Sequence, residues 1–309
     1  MKRIAYLILV IAVPFPSGAK EKPRPKILGI AQVRILTTNE TAANTFYHGL
    51  MRELVQTGMG EQACSGCEDV PNLGADRIGL DPVEGSLPYN LIGAVAFKTD
   101  NAEELRHILK RNEVPVGKLT KSPSGTSFGV LDPEGHKLIF IQTTDSGAHS
   151  TGPMGIPGAS AAASPPWPQV IHAGFVVKDR AAMDRFYRDL LGFHVYWTGG
   201  MKDGETDWVD MQVPDGRDWI EYMLNVPQNA DKQTLGVMNH IALGVPDVRA
   251  TAKQLQAKGM KLPEPPQIGR DGKWQLNLYD PDDTRVELME FTPVEKPCCA
   301  EYTGPHPQP

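Results

Sequence analysis

The chain repeats itself, and the repeat restricts its fold more than any other feature. In the first half, Ile30-Ala31-Gln32-Val33-Arg34-Ile35-Leu36 precedes a helical stretch holding Phe46-Tyr47, and Leu131-Asp132-Pro133-Glu134-Gly135 comes later. In the second half, Ile171-His172-Ala173-Gly174-Phe175-Val176-Val177 precedes a helix holding Phe186-Tyr187, and Tyr279-Asp280-Pro281-Asp282-Asp283 comes later. Gln32 to Phe46 and His172 to Phe186 are both steps of 14 residues; Asp132 to Ile139 and Asp280 to Glu287 are both steps of 7. Matched offsets in both halves indicate two copies of one unit. A length of 309 residues accommodates two domains. Residues 145–164, rich in Gly, Ser, Ala and Pro, read as the linker between residues 25–144 and 165–293. The proline-rich residues 294–309 read as a flexible tail.

Periodicity resolves the second copy further. A strand over Val170–Val177 leads into a helix over Arg180–Leu191, where Met183, Phe186, Leu190 and Leu191 recur at helical spacing and Gly192 suits the C-terminus. Strands follow over Phe193–Thr198, Asp207–Val213 and Asp218–Leu224. A second round then gives a strand over Asn239–Val245, a helix over Val248–Lys258, and strands ending in Lys273–Tyr279 and Arg285–Phe291. Alternate residues of a strand face opposite sides. His172 therefore opposes Ile171 and Ala173, His240 opposes Ile241, Glu221 opposes Ile220 and Tyr222, and Glu287 opposes Val286 and Leu288. Two imidazoles and two carboxylates thus share the face away from the aliphatic one. Small residues at Gly174, Ala242 and Gly244 leave room beside them, and the set suits a first-row divalent cation.

The net charge of −6 lacks the basic footprint that nucleic-acid binding requires. Lys2 and Arg3, the apolar run Ile4–Val13, and Ser17-Gly18-Ala19 lay out a secretory signal peptide over residues 1–19. The run is too short to span a bilayer. The expectation is an exported protein, periplasmic or extracellular, with no membrane attachment after cleavage. Cys64-Ser65-Gly66-Cys67 reads as a local disulfide of an exported chain, and no chemistry is assigned to it or to Cys298-Cys299.

The strand–helix–three-strand order resembles the vicinal oxygen chelate superfamily, which includes glyoxalase I, methylmalonyl-CoA epimerase, extradiol dioxygenases and bleomycin resistance proteins. The resemblance rests on His172, the Phe186-Tyr187 helix ending in Leu190-Leu191-Gly192-Phe193, Asn239-His240-Ile241-Ala242-Leu243, and Asp280-Pro281-Asp282 leading to Val286-Glu287-Leu288. It implies an α+β fold of two tandem modules, each a pair of βαβββ units curled into an open, cup-like sheet. It further implies that His172, His240 and Glu287 hold one divalent metal ion (Zn, Ni, Mn or Fe), with Glu221 as the fourth ligand of glyoxalase-like members. Glu221 or Glu287 would then serve as the proton-transfer base. The matching positions of the first copy, Gln32, Ala94 and Ile139, cannot form such a site. Three functions stay open for a small-molecule substrate: lyase or isomerase chemistry, an extradiol-type Fe(II) dioxygenase using the three-residue set, or non-catalytic sequestration with tryptophans for stacking.

Overall fold

The computed structural model describes residues 23–58, 77–144 and 168–309. The signal-peptide, Cys64–Cys67 and linker expectations lie outside these residues. The first module runs β1 (Ile27–Thr37), α1 (Glu40–Gly58), β2 (Ile78–Pro82), β3 (Ile92–Thr99), α2 (Ala102–Arg111), β4 (Thr120–Ser122), β5 (Gly125–Leu131) and β6 (Lys137–Thr143). The second runs β7 (Val170–Val176), α3 (Arg180–Asp184, continued by a π-helical turn over Arg185–Leu190), β8 (His194–Gly199), β9 (Trp208–Gln212) and β10 (Trp219–Met223). It continues with α4 (Lys232–Met238), β11 (His240–Val245), α5 (Val248–Ala257), β12 (Gln267–Ile268), β13 (Trp274–Tyr279) and β14 (Arg285–Glu290). Among these residues no helix is long and apolar enough to cross a membrane.

Each strand-to-helix junction is made by an Asx side chain. Asn39, Asn101, Asp179 and Asp247 accept from the amides of Ala42, Glu104, Ala182 and Ala250, at 2.9–3.1 Å. Such caps satisfy amides that a helix leaves unpaired and fix where each begins. The helices cover the aliphatic strand faces, where Val170, Ala173, Phe175, Ile220, Tyr222, Ile241, Leu243, Val286 and Leu288 are all buried. Ile171 departs from the expected alternation: the register shift in β7 turns it to the other side, where it packs with Trp219 and Ala242. The second module forms an eight-stranded mixed sheet ordered β12-β13-β14-β11-β7-β10-β9-β8, which contains the two expected βαβββ units. The first forms a six-stranded sheet ordered β2-β1-β3-β6-β5-β4, with β2 the one strand described after α1 in its first unit.

The repeated Asp-Pro turns bind the modules together reciprocally. Tyr187 donates to Asp132 of the first module, and Tyr47 donates to Asp280 of the second, both at 3.0 Å. Glu134 accepts from the amides of Lys178 and Asp179 at 2.7 and 2.6 Å; Asp282 accepts from Thr38 N at 2.9 Å and from the Thr37 hydroxyl at 2.6 Å. The duplicated motif is therefore an interlock, each copy gripping the strand end and helix tyrosine of the other.

Residues 294–309 correct the expectation of a flexible tail. They fold back over the open side of the second sheet, because their polar backbone and aromatic side chains find partners there. Thr303 N donates to Tyr196 O at 3.0 Å, the Tyr302 hydroxyl donates to Asp271 O at 2.8 Å, and Gln212 Nε2 donates to Pro305 O at 2.9 Å. Tyr302 packs on Tyr196 with ring centroids 4.7 Å apart. Cys298 and Cys299 are bonded to each other, beside Arg270 and under Trp197 Nε1, which donates to Cys298 O.

Candidate metal centre

Strand register assembles the site. Antiparallel pairing sets Ala242 opposite His172 and Gly174 opposite His240. Parallel pairing then sets Glu287 beside Ala242, Glu221 beside Gly174, and Trp219 beside His172. Side chains and vacancies alternate: each histidine lies next to a residue too small to obstruct it. The requirement is strict at Gly174, where an added Cβ would lie 2.0 Å from His240 Cε1.

The four expected side chains meet. The two Nε2 atoms are 3.0 Å apart. Glu287 Oε2 lies 3.6 Å from His172 Nε2 and 4.0 Å from His240 Nε2. Glu221 Oε2 lies 2.8 Å from His240 Nε2 and 3.5 Å from His172 Nε2. Donors held at about 2.0–2.2 Å from one cation sit about 3 Å from their neighbours around it, so this spacing fits a shared ion. His172, His240 and Glu287 each offer an atom within 4.8 Å of the other two, and Glu221 Oε2 approaches both imidazoles more closely than Glu287 Oε2 does. His240 Nδ1 faces Met238 O at 3.3 Å, an interaction that turns the Nε2 lone pair inward. His172 stacks against Trp219, with centroids 4.7 Å apart, and its buried Nδ1 has no hydrogen-bond partner.

Electrostatics favours a neutral His240 and ionised Glu221 and Glu287. Burial, with Arg285 nearby, lowers the His240 pKa to about 4, leaving it neutral near pH 7. Burial works against ionisation of Glu287, but its interaction with His172 and the charge of Arg285 outweigh it, and its pKa falls to about 2. Glu221 is likewise lowered against burial, by its hydrogen bond to His240 and the charges around it.

His172, Glu221 and Glu287 line a cavity of about 300 Å³, with His240 fully buried behind them. One side is apolar and aromatic, with Trp197, Trp208, Met201, Met223 and Met238; Asp210, Asp271, Arg270 and Arg285 face the same space. The sequence reading missed the four polar groups. Arg285 was legible, since it shares strand parity with Glu287. Asp210 follows from pairing of β9 with β10, where it lies opposite Glu221. Deep burial raises the Asp210 pKa strongly, and Asp271 is raised to about 6. Trp197, Trp208 and Trp219 line the cavity, whereas Trp274 lies outside it, under Arg249 at 4.6 Å. His194 contacts Gln212 at 3.1 Å and is not among the cavity residues.

Residues 169–288 match the family model of the Glyoxalase/Bleomycin resistance protein/Dioxygenase superfamily. That match spans the second module. Over 124 residues the chain is 27% identical to a lactoylglutathione lyase of Haemophilus influenzae, covering 40% of this chain and 92% of that protein. It is 25% identical over 135 residues to a probable chloroplastic lactoylglutathione lyase of Arabidopsis thaliana, covering 42% of this chain and 38% of that one. Among solved structures, the 2,3-dioxygenase LapB of Pseudomonas sp. KL28 superimposes with TM-score 0.58 at 14% identity, covering 93% of this chain and 96% of that one. The Mn(II)-bound glyoxalase of Novosphingobium aromaticivorans does so with TM-score 0.57 at 17% identity, covering 86% and 83%. At such identities the structural matches establish the fold alone, one of two tandem modules of curled sheet shared across both halves.

Proposed function

We propose that the second cup is the active site of an exported, metal-dependent, glyoxalase-like enzyme. Its chemistry is that of a lyase or isomerase on a small substrate held through two vicinal oxygens. His172, His240 and Glu287 hold one divalent cation, with Glu221 as the fourth ligand. The observation that carries this reading is the convergence of Glu221 Oε2 on both imidazole Nε2 atoms, at 2.8 and 3.5 Å. When bound, the cation supplies Lewis acidity to the substrate oxygens. Glu221 is the more accessible carboxylate, 13% exposed in its side chain against 4% for Glu287, and accepts a proton from the substrate carbon beside the carbonyl. The protonated Glu221 then returns that proton to the substrate, and Glu287 is the alternative base. The apolar wall of Trp197, Trp208 and Met223 excludes water from the reacting carbon. Export is supported by the basic start and ten-residue apolar run before Pro14.

A second reading, the extradiol-type Fe(II) dioxygenase, rests on the three-residue set His172, His240 and Glu287, whose ligand atoms lie within 4.8 Å of one another. Glu221→Gln separates the two. On the proposed reading, metal affinity of the full chain falls by about 10-fold or more. On the alternative, affinity is unchanged and the iron-loaded protein consumes oxygen with catechol.

A further inference from the structure

Three basic side chains surround the cup, and they differ in what answers their charge. The Arg270 guanidinium pairs with Asp203. Lys273, fully buried beneath the Trp219, Tyr196 and Tyr302 rings, has Asp271 and Asp210 as its acidic neighbours. Arg285 makes no ion pair among the described residues, although Glu221 and Glu287 lie near it. It opens β14, two residues before Glu287 and on the same face, in register with His240. It lines the cavity, and its Nε is buried without a hydrogen-bond partner. The acids near it are Glu221 and Glu287, both taken up as ligands once a cation is bound. A divalent cation with two carboxylates is neutral overall, which leaves the guanidinium without those two counter-charges. A guanidinium cannot shed its proton, and its planar fork suits a carboxylate.

We propose that Arg285 is a specificity residue that selects a small organic acid, one whose carboxylate lies outside the oxygen pair that reaches the cation. This rests on the reading of the cup as a cation site. The carboxylate seats on Arg285, the vicinal oxygens point to His172, His240 and Glu287, and the apolar remainder lies on Trp208 and Met223. The cavity, at about 300 Å³, is at the small end of the range for ligand sites and suits a single-ring or short-chain acid.

Hydroxamates present two adjacent oxygens to a cation and permit a direct test. The zinc-loaded full chain is titrated with benzohydroxamate and with its 3- and 4-carboxy derivatives, following tryptophan fluorescence. At least one carboxy derivative is expected to bind about 10-fold or more tightly than benzohydroxamate, as for a charge-assisted hydrogen bond. That preference is expected to vanish in Arg285→Gln and to return in part in Arg285→Lys. Because the preference is a ratio within one preparation, altered folding or metal loading does not mimic it. Equal binding of all three probes by the parent protein, or a preference that survives in Arg285→Gln, overturns the role of Arg285 and leaves the cation site standing. Failure of every hydroxamate to bind the zinc-loaded chain overturns both.

Discussion

The two cups are built on one lattice and filled in opposite ways. In the first, β1 pairs with β3 so that Gln32 faces Ala96 and Arg34 faces Ala94, and β6 then places Ile139 beside Ala96. In the second, the same register sets His172 opposite Ala242, Gly174 opposite His240, and Glu287 beside Ala242. β2 brings Gly79 beside Arg34, where β10 brings Glu221 beside Gly174. Thus Gln32, Gly79, Ala94 and Ile139 stand where His172, Glu221, His240 and Glu287 stand. The reversal is sharpest at Gly174 and Arg34. The glycine leaves room for an imidazole; the arginine fills its cup with a guanidinium bound to Asp81 through Nε, at 2.9 Å to both carboxylate oxygens. That hydrogen-bonded pairing, against some loss from burial, raises the Arg34 pKa. An ion pair in one cup occupies the room that the proposed site in the other leaves for a cation and substrate.

The comparison breaks most readily at Gly174. Gly174→Ala pushes a methyl group into the His240 ring, and metal affinity measured by competition with a chelator is expected to fall by about 10- to 100-fold. Unchanged affinity would mean that the glycine is incidental to the difference between the cups.

What the cups share is tested at the interlock. Tyr47→Phe and Tyr187→Phe each remove one hydroxyl from a carboxylate of the other module, Asp280 or Asp132. Each is expected to cost about 1–2 kcal/mol of unfolding free energy in denaturant titration, with metal content unaltered. A large cost in one and none in the other would contradict the reciprocal arrangement.

The smallest effect is a pH slope at the seam. Asp218 lies on the second module and accepts from Ile30 N of the first at 2.7 Å; burial, opposed by that bond and by Lys98 and Arg77, raises its pKa to about 7. An unfolded aspartate titrates near 4. The folded state therefore holds the proton more tightly, and the stabilisation is full below pH ~4 and lost as pH rises through about 7. Between pH 6 and 8 this group should remove about 1 kcal/mol of stability, and Asp218→Asn should flatten that part of the profile. A parallel profile in the variant would assign the slope to another group.

Much of the lattice is legible in the sequence, because strand parity and matched offsets are local. His172, His240, Glu221 and Glu287 could be placed on one face by counting in twos, and the repeat could be paired from Gln32 and Ile139. Features made by contacts distant in sequence were not legible. The Asp-Pro turns look like ordinary turns until Tyr187 and Tyr47 arrive from the other module. The tail from residue 294 looks unstructured because it forms no strand or helix, yet Tyr302 and Thr303 find Asp271 and the β8 backbone. Gly79 could not be identified as the counterpart of Glu221 because it carries no side chain for a parity argument to follow.

The central claim is that one cation site exists, in the second cup alone. Its most direct test is elemental analysis of the full chain purified without oxygen, beside His240→Ala. The account predicts about one equivalent of divalent metal in the parent and near none in the variant. A full equivalent retained in His240→Ala, or no metal in the parent after reconstitution with Zn, Ni, Mn and Fe in turn, would contradict it.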